Sequence, residues 1–272
     1  MTVLKRAGAA VVIALAAWST LAAQETVADY QGPKPEEYLA KAKIKAIRDL
    51  GQGVTLPKKV TLERDGVEHF AVFKSIDETK AGVTRMGDGS MEVDFQDSWQ
   101  LEIAAYEIDK MIGLGMVPAT VERRLNNNVG SLQWWVESEM QEAERVEKRI
   151  QPPDIEAWNQ VTYKVRLFDQ LIANVDRHLK NLLVTKNFDL RLIDHSRSFR
   201  GNRELKDSDS LKRFSRSLLA GIKKLNQPDL KKRVGRYLTS GQIERLLQRR
   251  DAILALAAKR VAEIGEAAAL YD

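Results

Sequence analysis

Asp176 and Asn181 stand five residues apart in the segment Asp176-Arg177-His178-Leu179-Lys180-Asn181, and another acid, Asp194, follows in Leu192-Ile193-Asp194-His195. Between them, Leu182–Val184 and residues 190–193 read as the two arms of a short hairpin turned by Thr185-Lys186-Asn187-Phe188. Pairing of those arms returns Asp194 towards Asn181, because each stands at the outer end of its strand. A carboxylate and an amide oxygen on one side suit a hard cation such as Mg²⁺, which prefers oxygen donors and shares them with phosphates. Asp176 is left free to accept a proton from an attacking hydroxyl. That division of labour is what phosphoryl transfer requires: a metal on the phosphates, a positioned base, and little covalent chemistry by the protein.

Two further residues fit the same chemistry. Lys74 closes the apolar run Phe70-Ala71-Val72-Phe73, and Glu102 lies near the start of a helical pattern. Taken singly, a lysine at a strand end discourages edge pairing, and an acid early in a helix favours the macrodipole. Glu102 also flanks the apolar stripe of its helix, where it could face a cleft and pair with Lys74; Glu107 lies on the opposite flank.

Together these pieces resemble a known group. D-R-H-x-x-N followed by I-D is similar to the catalytic and metal-binding loops of the phosphatidylinositol 3-/4-kinase group, to the secreted Fam20-type protein kinases and, more distantly, to the HipA-type kinases. The Asp-to-Asn spacing equals that of the protein-kinase motif H-R-D-x-x-x-x-N. Ala71-Val72-Phe73-Lys74 resembles the strand lysine that holds nucleotide phosphates. Glu102-Ile103-Ala104-Ala105, followed by Leu114-Gly115-Met116-Val117-Pro118, resembles the E-x-A-A helix and Val-Pro strand entry. The resemblance implies a bilobal kinase fold and ATP with Mg²⁺ or Mn²⁺. It gives Lys74 and Glu102 to the nucleotide, Asn181 and Asp194 to the metal, and Asp176 to base catalysis. The chain departs from the pattern in two places. It has no G-x-G-x-x-G, only Gly51-Gln52-Gly53, and Ser196 stands two residues after Asp194, where glycine is frequent. The long scaffolding of lipid kinases is also missing.

The elements that must position these residues form an α+β chain with a sheet-rich first half and a helical second half. A short helix is predicted from Pro35 to about Leu50. Val60 and Leu62 alternate with polar residues, and Asp65-Gly66 turns a hairpin into 70–73. Residues 81–96, with three glycines and mixed polarity, read as loop. Asp97 or Ser98 caps a helix whose stripe is Leu101, Ala104, Ala105, Ile108, Met111 and Ile112, stopped by Gly113 and Gly115. A second hairpin runs through 121–125 and 131–137 about Asn126-Asn127-Asn128. Trp134 and Trp135 must face opposite sides of it, so at most one lines a nucleotide cleft, with residues 136–138 as the hinge. Pro152-Pro153 opens a helix striped by Trp158, Val161, Val165, Phe168 and Ile172. Pro228-Asp229 and Thr239 mark later helix starts. The units are therefore a leader at 1–23, a linker with a short helix at 24–45, a kinase-like N-lobe at 46–137 and a C-lobe at 138–272.

Composition bounds the rest. Apolar residues make up 44% of the 272 and charged residues 30%, a globular balance. With no Cys and three His, thiol nucleophiles, disulfides, zinc–thiolate sites and iron–sulfur clusters are excluded. Lys5 and Arg6, the apolar run from Ala7 to Trp18 and the small residues to Ala23 read as a secretory signal, too short for a membrane span of roughly 20 residues. The expectation is therefore export, with no stable span once the signal is cleaved; an uncleaved anchor is the alternative. Residues 203–236 hold eleven basic and four acidic residues. Such a run is by default a solvated helical surface, with an acidic protein substrate as the minority use. Nucleic acid is not expected, because no aromatic stacking pattern accompanies the charge. Three functions fit: an exported, ATP- and metal-dependent phosphotransferase acting on protein hydroxyls, a pseudokinase used as an interaction module, and transfer of AMP or phosphorylation of a small molecule or lipid on the same fold.

Overall fold

The computed structural model describes residues 30–51, 57–85, 89 and 91–272. The leader-like run at 1–23 and Gln52-Gly53 of the Gly51-Gln52-Gly53 stretch lie outside the described residues. No described helix is long and apolar enough to cross a membrane.

Helix α1 (Pro33–Lys41) opens with proline in its first turn, where the missing N–H is no loss. It stops well short of the predicted Leu50. Residues Lys43–Asp49 are instead strand β1, paired antiparallel with β2 (Lys58–Arg64). The Arg123 guanidinium donates to the carbonyls of Leu39 and Ala42 and so satisfies the helix end. β2 and β3 (Val67–Lys74) form the predicted hairpin. Asp65 and Gly66 at its turn both have positive φ, 55° and 80°, which a two-residue turn matched to strand twist demands. Residues 77–98, read in part as loop, form a long ribbon of β4 (Asp77–Arg85) and β5 (Met91–Ser98). Val83, Met91 and Val93 on it are exposed and burial is confined to Phe95, Asp97 and Ser98 at the end that enters the next helix, so no apolar alternation runs along the ribbon.

β5 runs directly into α2 (Trp99–Ile112). Ser98 Oγ caps it by accepting from the Gln100 N–H, and Gly113 ends it in the left-handed conformation at φ 70°. With β6 (Thr120–Leu125) and β7 (Asn128–Trp134), the N-lobe sheet has the order β1-β2-β3-β7-β6. Val60, Leu62, Ala71 and Phe73 are buried on one face and share a core with Leu39 of α1 and Leu101, Ala104, Ala105 and Ile108 of α2. The strand period of two therefore puts Phe70, Val72 and Lys74 on the opposite face.

The second half starts with β8 (Met140–Gln141), α3 (Glu142–Glu147) and α4 (Ile155–Ile172), the last capped by Asp154. A 3₁₀ turn (Leu179–Asn181) leads into β9 (Leu182–Val184) and β10 (Leu190–Leu192). These form the predicted hairpin, extended by β8 into a three-stranded sheet. β11 (Phe214–Ser215), α5 (Arg216–Lys224), α6 (Gln227–Val234) and α7 (Ser240–Ile264) follow, and α8 (Glu266–Ala269) leads to β12 (Leu270–Tyr271), which pairs with β11. The two halves meet where Gly221 of α5 touches α2. A Cβ there would lie 2.0 Å from the Ile112 carbonyl oxygen, so only glycine fits. Arg249 of α7, fully buried, donates to the carbonyls of Leu171 and Asn202 and ties the end of α4 to the loop beyond β10.

Candidate active site

Lys74 ends β3 on the face opposite the core. Its neighbour across the ladder is Ser131, and the adjacent Gly130 is obligatory: a Cβ there would stand 2.1 Å from the Lys74 carbonyl oxygen. Lys74 Nζ donates to Glu102 Oε1 at 2.5 Å and to Asp194 Oδ1 at 2.6 Å. Strand, helix and post-hairpin loop thus converge on one ammonium group. Burial works to lower the pKa of that ammonium. The charges and hydrogen bonds of Glu102 and Asp194 overcome this and hold it above its ordinary value. Glu102 is only 2% exposed. Burial alone would raise its pKa, but the Lys74 charge and the bonds from His195 keep it well below the carboxylate range. The pair stays ionised.

The other Glu102 oxygen, Oε2, accepts the His195 backbone N–H at 2.9 Å. His195 is fully buried, and desolvation lowers its pKa, leaving a neutral ring. Its Nε2 lies 2.9 Å from Arg177 Nη2. A guanidinium only donates, so Nε2 accepts and the ring proton sits on Nδ1, 3.6 Å from Glu102 Oε2. Asp194 itself has φ 61°. That left-handed turn, uncommon for a non-glycine residue, swings its carboxylate from the hairpin end towards Lys74.

Arg177 holds the loop between α4 and β9 together. Its guanidinium grips the buried Asp169 of α4 through Nε (3.0 Å to Oδ2) and Nη2 (3.1 Å to Oδ1). Nη1 donates to the carbonyls of Asn181 (3.0 Å) and Ile193 (2.8 Å). The Ile193 N–H in turn donates to the Asn181 carbonyl at 3.1 Å, so the hairpin mouth is closed as the strand pattern predicts. The Asn181 amide donates from Nδ2 to the Asp176 carbonyl at 3.1 Å, and Asn174 Oδ1 accepts the Asp176 N–H at 3.0 Å. The Asp176 carboxylate is left partly exposed, 3.5 Å from Arg197 Nη1.

All five residues singled out from the sequence therefore belong to one bonded cluster, joined through the Ile193 N–H at the Asn181 carbonyl. Lys74, Glu102 and Asp194 touch directly, while Asn181 is bonded to the backbone of Asp176. Asp169, Glu92 and Arg197 were not singled out. Asp169 is a stripe-flanking helix residue and Glu92 lies in the segment read as loop, so neither carries a local signal. His178 contributes backbone bonds to the same loop. Trp135 lies on the Phe70–Val72–Lys74 face, where the Lys59 ammonium sits 3.9 Å over both its ring and that of Phe70. Trp134 instead stacks on His69 on the other side, so the two tryptophans do face opposite ways.

The donor set fits a hard cation shared with phosphate. Asn181 spends its amide nitrogen on backbone and keeps its oxygen, and Asp194 has one oxygen beyond the Lys74 contact. Among the described residues no cluster of three or more His, Cys, Asp and Glu forms an all-protein metal cage. Mg²⁺-type sites normally use one or two carboxylates plus substrate phosphates.

No protein-family model and no curated protein matches this sequence. Solved structures do. A hydra Fam20 structure with sugar superposes with a TM-score of 0.65 at 17% identity, over 86% of this chain and 90% of that one. The Golgi casein kinase with Mn/ADP bound gives 0.60 at 15% identity, over 87% and 77%. The Helicobacter pylori proinflammatory kinase CtkA gives 0.54 at 10% identity, over 83% and 98%. With its sheet-rich first half and a helical second half that carries the hairpin, the chain has a kinase-like fold of the Fam20 type.

Proposed function

We propose that the protein is an ATP- and divalent-metal-dependent phosphotransferase that acts on protein hydroxyl groups after export. One observation carries the reading: Lys74 Nζ bridges Glu102 and Asp194, and Asp194 follows the hairpin whose mouth, at Asn181, is bonded to Asp176. Lys74, fixed by Glu102, holds nucleotide phosphates. Asn181 and Asp194 hold Mg²⁺ or Mn²⁺, which supplies charge neutralisation on the phosphates when bound. Asp176 orients the acceptor hydroxyl and takes its proton. The Mn/ADP content of the Golgi casein kinase structure supports the choice of nucleotide and metal, and the leader-like run at 1–23 supports export. The choice of a protein acceptor rests on the resemblance to secreted protein kinases.

The test is incubation of the protein lacking residues 1–23 with γ-labelled or α-labelled ATP, Mg²⁺ or Mn²⁺ and a mixture of secreted proteins. Transfer of the γ label alone is expected. Transfer of the α label would make the enzyme a nucleotidyltransferase. Transfer of neither, with no metal-dependent thermal shift by ATP, would make it a pseudokinase.

A further inference from the structure

The segment after Asp194 holds a charged side chain that none of the motif residues accounts for. Arg197 Nη1 lies 3.5 Å from Asp176 Oδ1, and its Nη2 donates to Glu92 on β5. Glu92 also pairs with Arg200 at 2.6 Å, and Arg200 donates to the Val93 carbonyl at 2.8 Å. Arg197 Nε is buried with no hydrogen-bond partner. The ribbon thus reaches across to the C-lobe and holds a guanidinium beside the residue read as the base.

Two features make this more than a tether. A charge-assisted hydrogen bond is about 2.7–2.9 Å long, so at 3.5 Å the guanidinium stands beside Asp176 without being locked to it. A hydroxyl bound to Asp176 would lie about 3 Å from the carboxylate, with the attacked phosphorus about 3–3.5 Å further on. The oxygens of a phosphoryl group moving to that hydroxyl come within reach of the guanidinium that stands beside Asp176. Among the described residues Arg197 is the cation paired with Asp176, and a planar guanidinium fork matches phosphoryl oxygens where an ammonium does not.

We propose that Arg197 is a further catalytic residue that binds the γ-phosphoryl group during transfer, and that Glu92 and Arg200 are positioning residues that hold it there. The proposal rests on the phosphotransferase reading. In the step, the bond from the acceptor oxygen to phosphorus forms, the β–γ bridging bond breaks, the acceptor proton goes to Asp176 and ADP leaves. Arg197 forms no covalent bond and stabilises charge on the transferring oxygens.

The experiment compares equilibrium affinities for the non-hydrolysable β,γ-imido analogue of ATP and for ADP, both with Mn²⁺, in wild type, Arg197→Met, Arg197→Lys and Glu92→Gln. Arg197→Met is expected to weaken the triphosphate analogue about tenfold, to leave ADP within about twofold, and to lower kcat on the order of 10²–10³-fold. Arg197→Lys, which keeps the charge and the tether but loses the fork, should fall between. Glu92→Gln should show the same selective loss in smaller measure. Equal loss of analogue and ADP, or loss of neither, overturns the role of Arg197 while the phosphotransferase reading stands. A wild type that binds neither nucleotide overturns both.

Discussion

The Ser98 N–H donates to the Ser196 carbonyl at 2.9 Å, joining the cap of α2 to the residue two places beyond Asp194. It is the middle of three ties between two segments running in opposite senses. Glu92 holds Arg197 on one side of it, and Glu102 holds the His195 N–H on the other. The single stretch from β5 into α2 therefore sets the position of the loop carrying Asp194. The ion pairs of Lys74 are assembled by the fold itself, and Ser196, standing where glycine is frequent in similar kinases, is bonded in place through its backbone.

Lys74 and Glu102 should behave as one unit. Removing either leaves the other as a buried charge missing a partner, which costs about 3–5 kcal/mol for a buried pair. Lys74→Met and Glu102→Gln are each expected to lower stability and nucleotide affinity. The double variant should be far less than the sum of the two. Denaturant unfolding and nucleotide titration of the four proteins measure the coupling, and strict additivity would remove the pair from the site.

The legibility of this site follows from locality. Ser98 and Gly113 bound α2 by chemistry that each residue carries alone, and the hairpin that returns Asp194 to Asn181 is a local pattern of apolar runs around a turn. β1 was hidden because Lys43, Lys45 and Arg48 interrupt its few apolar residues. It is an edge strand with a register shift after Ile44 and little burial. The β4–β5 ribbon was hidden because most of it is exposed, with burial only at Phe95, Asp97 and Ser98, and because Gly82 and Asp94 bend it with positive φ. Glu92 and Arg197 are 105 residues apart. Asp169 meets Arg177 only because α4 ends in a left-handed residue, Ala173 at φ 48°, that turns the chain back. Such contacts exist once the topology does.

Gly130 is expected to tolerate no side chain. In Gly130→Ala the new Cβ would meet the Lys74 carbonyl oxygen at 2.1 Å and the Phe73 ring at 2.8 Å, so β3 must shift. A loss of about 1–3 kcal/mol, typical of overpacking, is expected together with weakened nucleotide affinity. Gly201→Ala, where a Cβ meets nothing within 4 Å, should change neither in thermal melts and titrations.

Stability should decline in mild acid. Burial lowers the pKa of His69 to about 4, despite its bond to the Trp135 carbonyl, and lowers that of His195 as well. Both folded values lie below the unfolded value of about 6.5. Below that pH the unfolded chain therefore binds more protons than the native one, and stability falls as the pH drops from about 6.5 towards 4. Thermal melts across this window should show Tm falling in wild type and falling less steeply in His69→Gln. A Tm that rises on acidification would contradict the burial of these rings as neutral groups.

Asp194 and Asp176 divide the proposed site into a metal side and a proton side, and one titration tests that division most directly: the affinity for ADP with and without Mn²⁺ in wild type, Asp194→Ala and Asp176→Ala. Asp194 is the carboxylate paired with Lys74, whereas Asp176 stands beside Arg197. Mn²⁺ should strengthen ADP binding in wild type and in Asp176→Ala alike, within about twofold, although phosphoryl transfer by Asp176→Ala should collapse, a loss confined to the transition state. In Asp194→Ala the Mn²⁺ dependence should vanish. Mn²⁺-dependent binding that survives in Asp194→Ala and disappears in Asp176→Ala would contradict the account.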